Sequence, residues 1–105
     1  MIPVTEHLAL DERDLEERFI RAAGPGGQNV NKVSTAVELR FRLGGFTALP
    51  DDVRARLEKL AGRRLTLDGE IVLRAESFRT QERNRADALE RLVALVEQAT
   101  HAPKP

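Results

Sequence analysis

The clearest pattern in the chain is a strict alternation of apolar and charged residues over positions 35–43. Apolar side chains occupy every second position, and Glu38, Arg40 and Arg42 stand between them. This period of two predicts a half-buried antiparallel strand. Residues 17–22 carry two apolar residues between charges, and this shorter segment predicts the partner strand.

Two later segments have the spacing of amphipathic helices. Between Pro50 and Gly62, apolar residues recur at i, i+4 and i+7 after an acidic start, which predicts a short helix. Thr80 is placed to cap a second helix that runs to about Ala99 and is about 30 Å long. The apolar stripe expected on this second helix comprises Ala86, Leu89, Leu92, Val93 and Val96.

The segment between the two helices contains the turn pair Asp68-Gly69, flanked by apolar residues at 65–67 and 71–75. It predicts either a hairpin or a turn into a third strand. The order is therefore strand, glycine loop, strand, helix, strand, helix. This order predicts an α+β domain in which two helices pack on one side of a small, mainly antiparallel sheet.

The chain has 105 residues, the length of one domain, which we place at residues 1–100. Residues 101–105 have the composition of an extended linker. The absence of cysteine excludes thiol catalysis, disulfides and cysteine zinc sites. His7 and His101 lie at opposite ends of the chain without companion ligands, so no metal and no other cofactor is expected.

Charge is balanced overall but sorted along the chain. Seventeen basic residues match seventeen acidic ones, yet residues 1–17 carry six acidic residues and one arginine, while residues 18–42 have a net charge of +4. The basic segment is where an anionic partner would dock, although it is also typical of a solvated strand edge. With no apolar run of membrane-spanning length and no signal-like start, we expect a cytoplasmic protein without membrane contact.

The loop between the first two strands holds Gly24, Gly26 and Gly27 within four positions. It matches neither a P-loop nor a dinucleotide fingerprint, because the residues after it alternate like a strand instead of opening a helix. Lys32 is the only ionisable residue between positions 22 and 36. A catalytic role for this loop would therefore depend on backbone N–H groups and a neutral amide that position water and stabilise developing charge, without a general base.

The extended pattern RAxGxGGQNVNxxxTAV at residues 21–37 resembles the signature of the catalytic domain of class I peptide chain release factors. The stretch FRTQERNR at residues 78–85 also resembles that family's Arg-Ser/Thr-Gln-x-x-Asn motif. The chain is most similar to the small codon-independent members, the YaeJ/ArfB ribosome-rescue peptidyl-tRNA hydrolases. In those proteins a flexible basic tail follows the domain, so residues 101–105 are expected to begin a linker to a tail that is absent from this sequence, either because the chain is trimmed or because it is naturally tailless.

The resemblance implies hydrolysis of the ester of peptidyl-tRNA in the ribosomal P site. The partners it implies are the ribosome, through large-subunit rRNA at the peptidyl-transferase centre, and peptidyl-tRNA, and the chain is expected to act as a monomer. The residues to which it assigns catalysis are Gly26, Gly27 and Gln28.

Two further groups of candidate residues surround the loop. The expected RNA contacts are Arg21, Lys32, Arg40 and Arg79. The first three could instead be solvated strand charges, and Arg79 could instead cap the final helix or brace the loop. The residues expected to brace the loop are Gly24, Asn31, Gln81 and Asn84. For the residues of the second motif, capping the final helix and bracing the loop are favoured over a part in the chemistry. An alternative hypothesis is a ribosome-associated, rRNA-binding protein that keeps the fold without turnover. A general RNA-binding domain is disfavoured, because four phenylalanines without Tyr or Trp offer few stacking surfaces.

Overall fold

The structure, a computed structural model, describes residues 1–20 and 35–102, and the segments 21–34 and 103–105 lie outside the described residues. The strands are β1 (Ile2–Pro3), β2 (Ala9–Leu10), β3 (Leu15–Ile20), β4 (Ala36–Arg42) and β5 (Glu70–Ala75). The helices are α1 (Asp51–Ala61) and α2 (Gln81–Ala99), with short 3-10 turns at Glu12–Asp14 and Gly62–Arg64.

The main sheet has the order β3-β4-β5, and both strand pairs are antiparallel. The alternating segment forms its central strand, β4, whose apolar positions are buried while Arg42 at its end is exposed. The pairing of β3 with β4 runs from Leu15↔Phe41 to Ile20↔Ala36. Residues 65–67 contribute only an isolated bridge to β5, so the alternative of a turn into a third strand is the correct one.

Both predicted helices are confirmed, and so is the predicted cap of the second. The Thr80 hydroxyl accepts a hydrogen bond of 3.2 Å from the backbone N–H of Arg83 at the start of α2. Helix α1 ends at Ala61, and the residue after it, Gly62, has a φ of +55°, a conformation that glycine adopts without strain.

The apolar stripe predicted for α2 is partly wrong. Ala86 is exposed, and Leu89 and Val93 are only half-buried. The residues of α2 that are buried are Asn84, Ala88, Leu92, Leu95, Val96 and Ala99. The face of the helix that is buried is set by its packing on β4, β5 and α1, which a helical period alone does not specify.

Both helices share one hydrophobic core with the inward face of the main sheet. Phe41, Leu57, Ile71 and Leu92 are completely buried in this core and come from β4, α1, β5 and α2 in turn. Each such side chain contributes about 1.5–3 kcal/mol by leaving water. The predicted α+β class is therefore confirmed.

The N-terminal region contains a feature that the sequence analysis did not predict, a two-stranded antiparallel ribbon of β1 and β2. Next to it, the buried carboxylate of Asp14 accepts hydrogen bonds from the backbone N–H groups of Phe46 and Thr47 and from the Thr47 hydroxyl. The Thr47 hydroxyl oxygen accepts in turn from the backbone N–H of Asp11, at 2.9 Å. Part of the acidic start of the chain thus holds the loop that follows β4.

Candidate functional site

The segment that carries the glycine-rich motif connects neighbouring ends of β3 and β4. Ile20 pairs with Ala36 at this end of the sheet, and Val37 pairs with Ala75, the last residue of β5. The chain continues from β5 through residues 76–80 into the N-terminus of α2. The second motif therefore follows the same end of the sheet at which the glycine-rich segment begins and ends.

Most of the candidate residues lie in the segment 21–34, outside the described residues. They are Arg21, Gly24, Gly26, Gly27, Gln28, Asn31 and Lys32. Their roles stay predictions.

Asn84 is completely buried and is hydrogen-bonded through both atoms of its side-chain amide. Its Nδ2 donates to the carbonyl oxygens of Thr35, at 2.7 Å, and Phe78, at 3.0 Å. Its Oδ1 accepts from the backbone N–H of Phe78 at 2.9 Å. One side chain thus joins α2, the 76–80 segment and the residue just before β4, which is the geometry expected of a brace. The effect of Asn84 on the loop itself stays a prediction.

The other two candidates from the second motif differ in their surroundings. Gln81 is the first residue of α2 and is half-buried. Arg79 is exposed, and within residues 1–20 and 35–102 it forms no ion pair. Its guanidinium group is therefore accessible to an anionic partner.

Arg40 lies on the outer face of the sheet between two carboxylates. Its guanidinium group forms ion pairs with Glu38 at 2.9 Å and Glu70 at 3.2 Å, and its side chain is 26% exposed. The hydrogen bonds to Glu38 and Glu70 raise the pKa of Arg40 above its usual range. These carboxylates balance the charge that Arg40 could offer to a phosphate, and its contact with RNA stays a prediction.

The sequence analysis missed a group of side chains at the end of the sheet where β3 leads into the glycine-rich segment. The guanidinium of Arg85 lies over the ring of Phe19, 5.4 Å from its centroid, and pairs with Glu17 at 3.2 Å. Arg83 lies in the same way over Phe78, at 4.3 Å. No sequence signal joins Phe19 to Arg85, because residues so far apart in the chain meet only through the fold, in which α2 packs on β4 and β5 and β3 is the neighbouring strand.

The described part of the chain contains neither a metal-binding cluster nor a membrane-spanning helix. Within residues 1–20 and 35–102, no group of three or more His, Cys, Asp or Glu side chains is arranged to hold a metal ion. Over the same residues, no helix has both the length and the apolar composition needed to cross a membrane.

Comparison with known proteins places these features in a family. Residues 4–104 match the RF-1 domain family. The peptidyl-tRNA hydrolase ArfB of Pseudomonas putida is 45% identical over 96 residues, covering 91% of this chain and 69% of that protein. The large ribosomal subunit protein mL62 of Mus musculus is 34% identical over 100 residues, covering 95% of this chain and 48% of that protein.

A decoding release factor is also similar, over a shorter stretch. Peptide chain release factor 1 of Leuconostoc citreum is 49% identical over 49 residues, which cover 47% of this chain and 14% of that protein. The resemblance inferred from the two sequence motifs is thereby confirmed. The chain belongs to the RF-1 domain family, the catalytic-domain family of class I peptide chain release factors.

Proposed function

We propose that this protein is a codon-independent peptidyl-tRNA hydrolase that releases nascent peptides from stalled ribosomes. The observation that carries the proposal is the 45% identity to ArfB over 91% of the chain. The intact GGQ sequence at residues 26–28 supports it, because a fold that had lost turnover would be under no constraint to keep this tripeptide.

The reaction is hydrolysis of an ester. The oxygen of a water molecule attacks the ester carbonyl carbon, the bond from that carbon to the ribose oxygen of the tRNA breaks, and the peptide leaves with a free carboxyl group. Negative charge develops on the carbonyl oxygen as the water attacks. Preorganised N–H donors that meet such charge are usually the largest single contribution to catalysis of acyl transfer.

In this scheme Gln28 has two functions. Its backbone N–H donates to the developing oxyanion, and its neutral side-chain amide positions the water and excludes larger nucleophiles. Gly26 and Gly27 let the backbone approach the ester closely, because they carry no side chain. With Lys32 as the only ionisable residue between positions 22 and 36, the water's proton passes to the tRNA leaving group through the ribosomal partner.

The rest of the domain presents the loop to its substrate. The antiparallel pairing of β3 with β4 and the hydrogen bonds of Asn84 to Thr35 and Phe78 support a fixed geometry for both ends of the loop. Large-subunit rRNA is the partner, and Arg21, Lys32 and Arg79 neutralise phosphates there. The protein acts as a monomer, on ribosomes in the cytoplasm.

A second candidate function is binding to the ribosome without turnover. The identity to mL62, a large ribosomal subunit protein, favours it. The two functions differ in one measurable property, because only the hydrolase separates a bound peptide from its tRNA.

The test is single-turnover release of labelled peptide from purified ribosomes that carry P-site peptidyl-tRNA and an empty A site. The chain is compared with the same chain bearing a Lys/Arg-rich C-terminal extension, which adds phosphate contacts and therefore affinity. Release by either protein supports the hydrolase. Saturating ribosome binding without release by either would favour the second function.

A further inference from the structure

The strand that leads into the glycine-rich segment presents an exposed aromatic ring. Phe19 is the second-last described residue before that segment, and 43% of its surface is exposed. In the register it pairs with Val37, so its side chain is on the inward face of the sheet. It remains open because α2 packs against β4 and β5, and β3 is the uncovered edge of that face.

A cation is held beside this ring. The guanidinium of Arg85 is 5.4 Å from the ring centroid, within the range of a cation–π contact. Glu17, two residues before Phe19 on the same face of β3, pairs with the Arg85 Nε at 3.2 Å. The Arg85 side chain is still 49% exposed and Phe19 is 43% exposed, so each group keeps surface that a partner can reach.

We propose that Phe19 and Arg85 form a stacking surface for an unpaired RNA base beside the catalytic loop. Aromatic rings and guanidinium planes are the two protein groups on which unstacked bases pack, and such stacking tolerates any base. This inference extends the proposed function, because it assigns RNA binding to Phe19, which lies outside both motifs, and to Arg85, to which the sequence analysis gave no role. It needs RNA at this edge of the domain, but it does not need hydrolysis.

The chain contains its own control for this surface. Arg13 lies over the ring of Phe46 at 3.8 Å, and Phe46 is 61% exposed. This second pair follows the far end of β4, about 20 Å from Ala36 at roughly 3.3 Å per residue. Arg13 is paired with Asp11, as Arg85 is with Glu17, but the further carboxylate of Asp14, which accepts from the backbone N–H of Phe46, makes these surroundings more acidic and should repel RNA. The two pairs have the same chemistry and differ in position and local charge.

The experiment uses the absence of tryptophan from the chain. Phe19→Trp and Phe46→Trp each introduce a single indole, whose fluorescence is quenched when a nucleic-acid base stacks on it. Each variant is titrated at low salt with a single-stranded oligocytidine hexamer, free of ribosomes. We expect saturable quenching for Phe19→Trp, at least fivefold weaker binding when Arg85→Gln is added, and no saturable quenching for Phe46→Trp. Absence of quenching in Phe19→Trp, or equal quenching in both variants, would overturn the proposal.

A second measurement uses intact ribosomes. Phe19→Leu should weaken ribosome binding about 5- to 150-fold, the range that loss of one stacked base produces. Phe19→Tyr should restore the affinity, and Phe46→Leu should leave it unchanged. A structural role for Phe19 would instead lower the thermal midpoint of the Leu variant without a specific loss of ribosome affinity, and that result would contradict the proposal. If the Phe19→Trp indole is quenched but no variant releases peptide, the stacking surface stands and the proposed hydrolysis fails.

Discussion

Replacing Asn84 with alanine should destabilise the domain by about 3 kcal/mol, because three hydrogen bonds are lost at about 1 kcal/mol each. The Asn84 side chain is completely buried, so the backbone groups of Thr35 and Phe78 lose their hydrogen-bond partner at a place where water does not readily replace the amide. For a domain of about 100 residues this loss lowers the thermal midpoint by roughly 12–24 °C. A loss of about 3 kcal/mol is a large fraction of the 5–15 kcal/mol of total stability that is typical of a folded domain.

The assay is urea unfolding followed by circular dichroism, with Gln98→Ala as the control. Gln98 is an exposed amide on the same helix, and its replacement should change the free energy of unfolding by less than about 0.5 kcal/mol. A loss of less than about 1 kcal/mol in Asn84→Ala would refute the argument that this amide braces the edge of the sheet.

Asn84→Asp gives an independent check through pH. The introduced carboxylate would face the carbonyl oxygens of Thr35 and Phe78 without a proton to donate, so burial and these oxygens raise its pKa in the folded state. A raised pKa means that the charged form is the destabilised one, so the variant should gain stability relative to wild type as the pH falls from 7 toward about 4. A stability difference that does not change with pH would contradict this placement of the amide.

Three further predictions concern the rest of the scaffold. Gly45→Ala places a Cβ against the buried carboxylate of Asp14 and should cost about 1–3 kcal/mol of unfolding free energy in a denaturant titration; an unchanged midpoint would be inconsistent with that contact. The Arg13 side chain hydrogen-bonds Asp11 and lowers the pKa of that carboxyl from its ordinary 3.8 to about 2, so the stabilisation from this carboxylate is complete well above pH 3.8 and is lost as the pH falls through about 2. The difference in thermal midpoint between wild type and Asp11→Asn should therefore be constant from pH 5 to 8 and shrink below about pH 4, and a difference at pH 2 as large as that at pH 7 would rule this out. Thr80→Ala removes the cap of α2 and should cost about 1 kcal/mol, measured by thermal unfolding, whereas no loss would show that the cap is dispensable.

Local patterns predicted the elements that local chemistry specifies. The alternation of β4 was readable because one face is buried and the other charged, and the start of α2 was readable because Thr80 is a good N-cap residue. The α+β class followed from the order of these elements.

Features that depend on long-range packing could not be read in this way. Each strand of the β1–β2 ribbon has only two residues, too few for a period to be visible. The buried face of α2 is determined by three neighbouring elements, so the predicted stripe included the exposed Ala86. The Phe19–Arg85 contact joins positions 66 residues apart, and its members have no common motif.

The sequence identified Asn84 as a candidate because it belongs to the second motif, but it did not show which groups the side chain binds. That its amide bonds the chain at both Thr35 and Phe78 is a result of the fold. The glycine-rich motif was the opposite case, because its residues were identified entirely from the sequence and their proposed roles stay predictions.

The most direct test of the central claim compares wild type with Gln28→Ala in single-turnover peptide release from ribosomes with P-site peptidyl-tRNA and an empty A site. Ribosome binding is measured in parallel, so that a loss of release can be separated from a loss of affinity. Loss of one preorganised donor or of a positioned water predicts release about 100- to 1,000-fold slower, with binding retained. Release that is undiminished in Gln28→Ala would contradict the account.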